Sequence, residues 1–415
     1  MRIIHLLILA FGLDSPAILA AAGQSPGVTA TEITFGQSAA FLGASASLGA
    51  QLWRGADAFF SNLNADGGVN GRKITVVSLD DHYEGEETLV NTIKLVTEQK
   101  VFGLFGYVGT PTIVKALPAI QKFSSEGLFL FSNFTGAQPQ REPPHNRYVF
   151  NVRASYRTET AAIIKKYLDL GFKRIGMFTQ DDAYGRSGID GVTRALKERE
   201  LSIIAETTYK RGTTIDQSMA EQVGVLKKAG VDAIVSVGSY AACAAFIRDL
   251  RKSGSEVPVA NLSFVGPDAL LDALVQIGKD AHTDLTRRLI GSQVVPAWND
   301  LSVPLVKEYR SAMDGFSHNL PEAIRDPGFK PRKYSFGSLE GYLNAKVLAL
   351  ILKKISGEPT RQAFFKAAED GKAMDVGLNE KISFGPDDHI GLSTVFLTEI
   401  QNGAYIPFKD WVMVK

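Results

Sequence analysis

The stretch Phe105–Pro118, FGYVGTPTIVKALP, decides the fold because a strand pattern turns into a helix pattern within a few residues. The apolar run Val101–Gly106 ends in a loop of small and hydroxyl residues. Ile113, Ala116 and Leu117 then recur on one face of a predicted helix. A buried strand followed at once by an amphipathic helix is the unit from which parallel α/β sheets are built. The stretch therefore predicts an α/β fold, with this loop at the carboxyl end of a strand.

The loop itself has the composition of an anion-binding turn. Gly106 and Gly109 allow the backbone to turn tightly, and Thr110 or Thr112 can cap the helix that follows. The N–H groups of a first helical turn carry partial positive charge, and open α/β sheets bind ligands beyond the carboxyl ends of their strands. The Gly-Lys-Ser/Thr of a nucleotide-binding P-loop is missing. The loop therefore predicts either a contact with a ligand carboxylate or a capped helix that simply faces water.

Strands and helices alternate along the rest of the chain in the same way. Before this stretch, β-prone runs such as ITVVSL alternate with helical patterns. After Arg153 the same alternation of strand and helix patterns begins again with RIGMFTQ. A third segment, from Pro296, contains the strongly apolar helix Ser338–Ile355. The stretch Asp314–Lys333 has charges, Pro and Gly but no period, which predicts an exposed loop. Two similar lobes follow, each a mostly parallel sheet with helices on both faces.

Length, charge and cysteine content narrow the class of protein. The 415 residues exceed one ordinary core, and 45 Lys+Arg against 44 Asp+Glu create no net field that favours nucleic acid or an anionic membrane. The first 22 residues have the order of a secretory signal peptide, although their apolar run of about 11 residues also fits a short buried helix. The single cysteine, Cys243, cannot form an internal disulfide, so packing alone holds the fold.

A second loop repeats the composition of the first. FLFSNFTGA, Phe129–Ala137, runs from a strand into small polar residues that include Thr135 and Gly136. Because the carboxyl ends of neighbouring parallel strands meet at one edge of a sheet, two such loops can converge on one anion. The second loop is therefore a candidate partner of the first.

Four residues of the second lobe are further candidates for ligand contact. Tyr184 in TQDDAYG and Tyr240 in SVGSYAA each follow a strand and precede a helix. Each ring is either packed in the core or part of a wall over a bound ligand. Ser263 and Asp268 in SFVGPDA can bond an ammonium or hydroxyl group of a ligand, or Asp268 can cap the helix that follows.

Signals for catalysis or metal binding are weak. The sequence has no G-x-S-x-G elbow and no H-E-x-x-H, and its six histidines are scattered. His82 in DDHYEGEE lies among acids and could contact a metal, but a solvated acidic loop explains the same residues. Cys243 sits in the apolar run AACAAFI, which indicates a core position rather than a nucleophile. We expect no enzyme activity, no metal and no cofactor.

Several motifs together resemble one known family. GADAFFSNLNADGGVNGRKITVVSLDD, VFGLFGYVGTPT, DDAYGRSGIDGVTRAL, GVDAIVSVGSYAACAAFIRDLRKSG and SLEGYLNAKVL are similar to the branched-chain amino-acid type of ABC-transporter solute-binding protein, the leucine/isoleucine/valine-binding group. The resemblance covers the chain from about Gly27 to its end. The combination of N-A-D-G-G-V-N-G-R, G-T-P-T and D-A-Y-G is specific, whereas no one of these motifs is specific alone.

The resemblance implies a periplasmic-binding-protein type I fold, with two doubly wound lobes joined by a three-strand hinge. The expected crossings lie near Ala154, Pro296 and Leu392. Residues 23–154 and 296–392 would then form the first lobe, and residues 155–295 and 393–415 the second.

The resemblance also implies which residues contact the ligand. In that family the loop matching Tyr107 to Thr112 holds the ligand carboxylate, the loop matching Phe134 to Gly136 adds backbone and hydroxyl groups, and second-lobe aromatic residues cover the ligand. The amino-acid binders of the family place a Glu on the ammonium, and the nearest match here is the shorter Asp268. The expected contact residues are Tyr107, Thr110, Thr112, Phe134, Thr135, Gly136, Tyr184, Ser239, Tyr240 and Asp268.

The implied function is that of a periplasmic solute-binding protein of an ABC importer. It would close its lobes on a small carboxylate-bearing ligand, either an amino acid or a related organic or aromatic acid, and deliver it to a permease at the inner membrane. The alternative is the same clamp used as a sensor that presents its ligand to a receptor or sensor kinase. The resemblance further implies a monomer that binds no nucleic acid.

Overall fold

The chain folds into two α/β lobes, and the first contains a five-stranded parallel sheet. The computed structural model describes residues 25–409, so the predicted signal peptide lies outside the described residues. The strands of this sheet are β1 Glu32–Ala39, β2 Lys73–Asp80, β3 Gly103–Phe105, β4 Leu130–Phe131 and β5 Val149–Phe150. Their order is β2-β1-β3-β4-β5. The strand order reverses at β1 and β3, and such a switch point opens a crevice at the carboxyl ends of the strands.

The second lobe contains a seven-stranded sheet. Its strands are β6 Ile175–Gln180, β7 Ala205–Tyr209, β8 Ala233–Val237, β9 Val259–Asn261, β10 Leu289–Gln293, β11 Phe396–Gln401 and β12 Ala404–Pro407. The order is β12-β11-β10-β9-β8-β6-β7. Strands β6 to β10 are parallel, whereas β11 and β12 pair antiparallel at the edge. The predicted type I architecture is confirmed.

Eleven α-helices connect and cover the strands within residues 25–409. They are α1 Ala46–Ala65, α2 Gly85–Thr97, α3 Thr110–Ser124, α4 Tyr156–Asp169, α5 Ala183–Lys197, α6 Ala220–Ala229, α7 Tyr240–Lys252, α8 Pro267–Asp280, α9 Pro304–Gly315, α10 Phe336–Lys353 and α11 Arg361–Ala368. Helices α9 to α11 return to the first lobe, where they share its main apolar core. Over the described residues, no helix combines the length and the apolar character that a membrane span requires.

The apolar helix expected at Ser338–Ile355 is α10, and it packs backbone to backbone against α1. A Cβ atom added at Gly55 would meet the Ser338 carbonyl oxygen at 1.7 Å, and one added at Gly341 would meet the Leu52 carbonyl oxygen at 2.0 Å. Only glycine permits this approach, because any side chain would push the helices apart. The two helices therefore form a rigid unit within the first lobe.

Three segments cross between the lobes. The first leads from β5 into α4 and the second from β10 into α9, while the third leads into β11. The first and third run side by side, since Gly391 N–H donates to the Asn151 oxygen at 2.7 Å and Leu392 N–H donates to the Val152 oxygen at 2.9 Å. The exact lobe boundaries stay a prediction.

The Asp314–Lys333 stretch is mostly exposed, as expected, but a few of its side chains anchor it. Leu320 and Ile324 are buried in the core that includes residues of both lobes. The carboxylate of Asp326 accepts a hydrogen bond from Gly43 N–H of the first lobe at 2.8 Å, while Arg332 makes an ion pair with Asp272 on α8 of the second lobe. A stretch without sequence periodicity can still be held in place by isolated apolar and charged side chains.

The expectation of a core position for Cys243 is confirmed. The residue is fully buried in α7, and its sulfur lies 3.2 Å from the Ser236 hydroxyl oxygen. Burial raises the pKa of the Cys243 thiol to about 12, so the nucleophilic thiolate is not formed near neutral pH.

Candidate functional site

The two hydroxyl-rich loops that follow β3 and β4 are bonded to each other. Phe134 N–H donates to the Tyr107 oxygen at 2.6 Å, and Gly109 N–H donates to the Phe134 oxygen at 3.2 Å. The side chains of Thr110 and Thr135 then meet, with their hydroxyl oxygens 2.6 Å apart. The convergence expected from neighbouring parallel strands is therefore present in the structure.

A third hydroxyl group joins this pair from the start of α4. The Thr135 hydroxyl donates to the Tyr156 oxygen at 3.3 Å, and Thr110, Thr135 and Tyr156 are all buried. Burial raises the pKa of Tyr156 to about 12, although Arg153 pulls it down, so the phenol keeps its proton at neutral pH. Because the hydroxyl cluster Thr110–Thr135–Tyr156 offers three rotatable O–H donors, it can turn toward an acceptor oxygen such as that of a carboxylate.

Two other residues of the first loop point away from this cluster. The Tyr107 hydroxyl lies 3.1 Å from the Thr92 hydroxyl inside the first lobe. Thr112 donates back to the oxygens of Val108 and Gly109, at 2.5 and 2.8 Å. The expected threonine cap is not formed, because Gly109 occupies the N-cap position with no side-chain cap bond. From Tyr107 and Thr112 only main-chain atoms remain for a ligand, and Pro111 contributes no N–H.

An aromatic cluster fills the cleft beside the hydroxyl groups. The ring centroid of Phe264, from the second lobe, lies 6.0 Å from that of Tyr83, 5.4 Å from Phe134 and 4.9 Å from Tyr184. Tyr156 lies 5.2 Å from Tyr184. Tyr83 and Phe134 belong to the first lobe, so the cluster closes the two lobes on each other.

Tyr184 carries an unusual polar atom within this cluster. The residue is fully buried, and its hydroxyl oxygen has no hydrogen-bond partner among the described residues. An unsatisfied buried hydroxyl is costly, which indicates that a further polar group completes the site. Gly136 borders the same region, since the Tyr156 ring packs directly on its α-carbon side.

The remaining second-lobe candidates lie at the starts of α7 and α8. Ser239 is the N-cap of α7, and its N–H donates to the Tyr209 hydroxyl at 2.9 Å. Tyr240 is bonded to the main chain of Ser47 in the first lobe, and burial raises its pKa to about 12. The structure therefore brings Tyr240 to the contact between lobes.

Asp268 is occupied by groups of the protein itself. Its Oδ1 accepts from the Trp298 indole N–H at 3.1 Å, and its Oδ2 accepts from Phe336 N–H at 2.8 Å. Arg332 adds an ion-pair contact at 3.5 Å. Burial raises the pKa of Asp268 to about 6, against the opposite effect of Phe336 and Arg332. The carboxylate has little capacity left for a ligand ammonium.

A cavity of about 410 Å³ opens between the lobes next to the hydroxyl cluster. Its lining includes Gly136 and Tyr156 beside the hydroxyl cluster, Val114 of α3 and Ala183 of α5. Ligand pockets of proteins fall in the range of about 300–1,000 Å³. The cavity is therefore large enough for a small organic molecule.

The acidic loop around His82 holds the one cluster of possible metal ligands in residues 25–409. His82 Nδ1 lies 3.0 Å from Asp80 Oδ2 and 2.7 Å from Glu87 Oε2, and the hydrogen bond to Glu87 raises the pKa of His82. The same ring nitrogen of His82 thus contacts both carboxylates, and the His82 side chain is about half exposed. Ion pairs among the three side chains account for the cluster.

Four residues at the cleft were missed by the sequence reasoning. Tyr83 follows β2 at the same sheet edge as the two loops, and this position was a usable signal. Tyr156 and Arg153 belong to the first crossing, and Phe264 lies in the short turn before α8. These three have no local pattern that marks them, because they reach the cleft only when the lobes close.

Two α/β lobes that close over paired loops at a strand-order switch define a two-lobed ligand-binding protein. The family model described as "Periplasmic binding protein" matches residues 32–404. The chain belongs to this family, in its leucine/isoleucine/valine-binding type, as the sequence resemblance predicted. Membership implies an extracytoplasmic location.

Individual relatives agree with this assignment. Leu/Ile/Val-binding protein homolog 7 of Brucella melitensis is 26% identical, over 81% of this chain and 80% of its own length. A structure described as a "possible leucine/isoleucine/valine-binding protein" from Rhodopirellula baltica superposes with a TM-score of 0.80 at 31% identity, covering 94% of this chain and 98% of that one. A branched-chain amino acid ABC transporter structure from Thermus thermophilus, with bound valine, has a TM-score of 0.76 at 16% identity, over 92% and 96% of the two chains. The last likeness shows the fold alone.

Proposed function

We propose that this chain is the solute-binding protein of an ABC importer, which closes its lobes on a small carboxylate-bearing ligand and delivers it to a membrane permease. The observation that carries the proposal is the hydroxyl cluster, in which two loops at the carboxyl ends of β3 and β4 are bonded through Thr110 and Thr135. The family assignment supports it.

Closure follows from contacts that only the closed state provides. A ligand shifts a two-state equilibrium only through its differential affinity, so it must touch both lobes. Thr110 and Thr135 belong to the first lobe, whereas Tyr184 with its unpartnered hydroxyl belongs to the second. Three or four charge-assisted hydrogen bonds of about 1.5–3 kcal/mol each, less ordering costs, suffice for micromolar binding at about 8 kcal/mol.

We propose further that the ligand is an acid recognised without an ammonium contact at Asp268. Both oxygens of that carboxylate already accept hydrogen bonds, from Trp298 and Phe336. Displacing these buried donors would leave them unpaired, at a cost of about 1–3 kcal/mol for each group. The aromatic cluster offers apolar contact area to an aliphatic or aromatic body instead.

A thermal-shift screen of the chain from Gly23 tests the proposal. The probes are leucine, its deaminated counterpart 4-methylpentanoate, benzoate, and the carboxamides of the two acids. Ligand at 100 times its Kd adds about 2.7 kcal/mol of stability, which raises the melting temperature measurably. We expect both acids to stabilise more than their carboxamides. Stabilisation by leucine alone would refute the ligand class, and no response to any acid would refute carboxylate recognition.

A further inference from the structure

Arg153 is a buried arginine at the first crossing between the lobes, and it contacts carboxylates of both. Its side chain is 1% exposed, with Nη2 placed 3.3 Å from Glu159 Oε1 on α4 of the second lobe. Nη1 lies 3.4 Å from Glu340 Oε1 on α10 of the first lobe. Nη2 also donates to the Ser263 hydroxyl. One guanidinium group therefore links both lobes.

The carboxylates of Glu159 and Glu340 differ in how many hydrogen bonds they accept. Glu159 accepts from Ser263 N–H at 2.9 Å and from the Ser292 hydroxyl at 2.6 Å. Glu340 Oε1 has no hydrogen bond within the described part of the chain, and neither do Nε and Nη1 of Arg153. Burial raises the pKa of Glu340 to about 7, although Arg153 opposes the shift. Glu340 is therefore partly protonated near neutral pH.

A second buried arginine leaves this cluster with net positive charge. Arg141 donates through Nη2 to the Arg153 main-chain oxygen at 2.9 Å. Burial lowers the pKa of Arg141 to about 9, so it is still protonated at neutral pH. The charged groups that face Glu340 are Arg141, Arg153 and Glu159. Two guanidinium groups thus face the carboxylates of Glu159 and Glu340, and that of Glu340 is partly neutral.

The charge of Arg153 lies directly behind the proposed ligand site. Its Cζ atom is 5.0 Å from the ring centroid of Phe134 and 5.9 Å from that of Tyr156. Phe134 precedes Thr135 in the second loop, and Tyr156 is the phenol of the hydroxyl cluster. A cation near a phenol favours its deprotonated form, which makes the O–H group a stronger donor to an anion.

We propose that Arg153 is a positioning residue for carboxylate recognition, which acts through Tyr156 and Phe134 to make the hydroxyl cluster select an anion over a neutral polar group. The inference rests on the proposed function. Arg153 does not touch the ligand itself. It holds the two rings in place and supplies the positive potential, while its contacts to Glu159 and Glu340 couple that potential to the closed arrangement of the lobes.

The test compares affinities for each acid and its carboxamide by calorimetry, using 4-methylpentanoate with 4-methylpentanamide and benzoate with benzamide. In Arg153→Met we expect about tenfold weaker acid binding, equal to about 1.4 kcal/mol, with amide binding nearly unchanged. Arg153→Lys keeps the charge and should restore part of the acid preference. Arg361→Met is the matched control, because Arg361 is also buried but bonds main-chain oxygens of Phe102 and Val101 away from the cleft.

Glu340→Gln provides the opposite perturbation and decides the matter if Arg153→Met does not fold. Removing this carboxylate leaves the positive charge uncompensated, so acid binding should strengthen. In the wild type, acid binding should also strengthen as the pH falls through about 7, because Glu340 takes up a proton, and Glu340→Gln should abolish that dependence. If the ratio of the affinity for the acid to that for its carboxamide is unchanged in both Arg153→Met and Glu340→Gln, the inference is overturned and the proposed function stands. A wild-type protein that binds neither acid would overturn both.

Discussion

Thr110→Val removes one hydroxyl of the hydroxyl cluster and keeps the shape of the side chain. In the ligand-free protein the change deletes the 2.6 Å hydrogen bond to Thr135, a neutral contact worth about 1 kcal/mol. In the complex it deletes a hydrogen bond to a carboxylate, worth about 1.5–3 kcal/mol. The binding free energy weakens by the difference, about 0.5–2 kcal/mol, so the Kd for the acid found in the screen should rise by about twofold to thirtyfold.

Isothermal titration calorimetry at neutral pH measures this change. Thr160→Val is the matched control, because Thr160 is equally buried but its hydroxyl donates to the Tyr156 main-chain oxygen at 2.8 Å. The control should lose stability and keep its affinity. If Thr110→Val binds the acid as tightly as the wild type while its melting temperature stays high, the placement of the carboxylate at this loop is refuted.

Three further predictions concern single buried groups. Tyr184→Phe should leave the ligand-free melting temperature equal or higher, since the lost hydroxyl has no partner, and should weaken ligand binding; equal affinity would contradict its role. Asp268→Asn should lower stability by about 1–3 kcal/mol through the Trp298 and Phe336 contacts without changing acid affinity, and a selective loss of leucine binding would argue for an ammonium site. Burial raises the pKa of Asp81 from 3.8 to about 7, so the stability this proton contributes is present at low pH and is lost as pH rises toward 7. In Asp81→Asn the stability measured by thermal unfolding should fall less steeply with rising pH. An unchanged slope of stability against pH would exclude Asp81 as the source of the decline.

The fold and the meeting of the two loops could be predicted from the sequence. The strand, glycine and helix pattern around Gly106 and Gly109 is local, and the carboxyl ends of parallel strands must share one edge of the sheet. The convergence of Thr110 with Thr135 follows from these two facts alone. Topology therefore fixed which loops meet.

The direction of individual side chains could not be predicted in the same way. Tyr107 and Thr112 belong to the correct loop, yet one hydroxyl turns into the lobe and the other back to its own main chain. Asp268 is bonded by Trp298 and Phe336, which lie 30 and 68 residues away along the chain. Such partners depend on how the crossings place the two lobes, and no local pattern carries that information.

The Asp314–Lys333 loop has a consequence for how far the cleft can open. Asp326 is fastened to Gly43 of the first lobe and Arg332 to Asp272 of the second. Arg332 precedes α10 of the first lobe by only four residues, so the chain between this second-lobe contact and the first lobe has little slack. Opening of the cleft must therefore break the Arg332–Asp272 ion pair at an early stage.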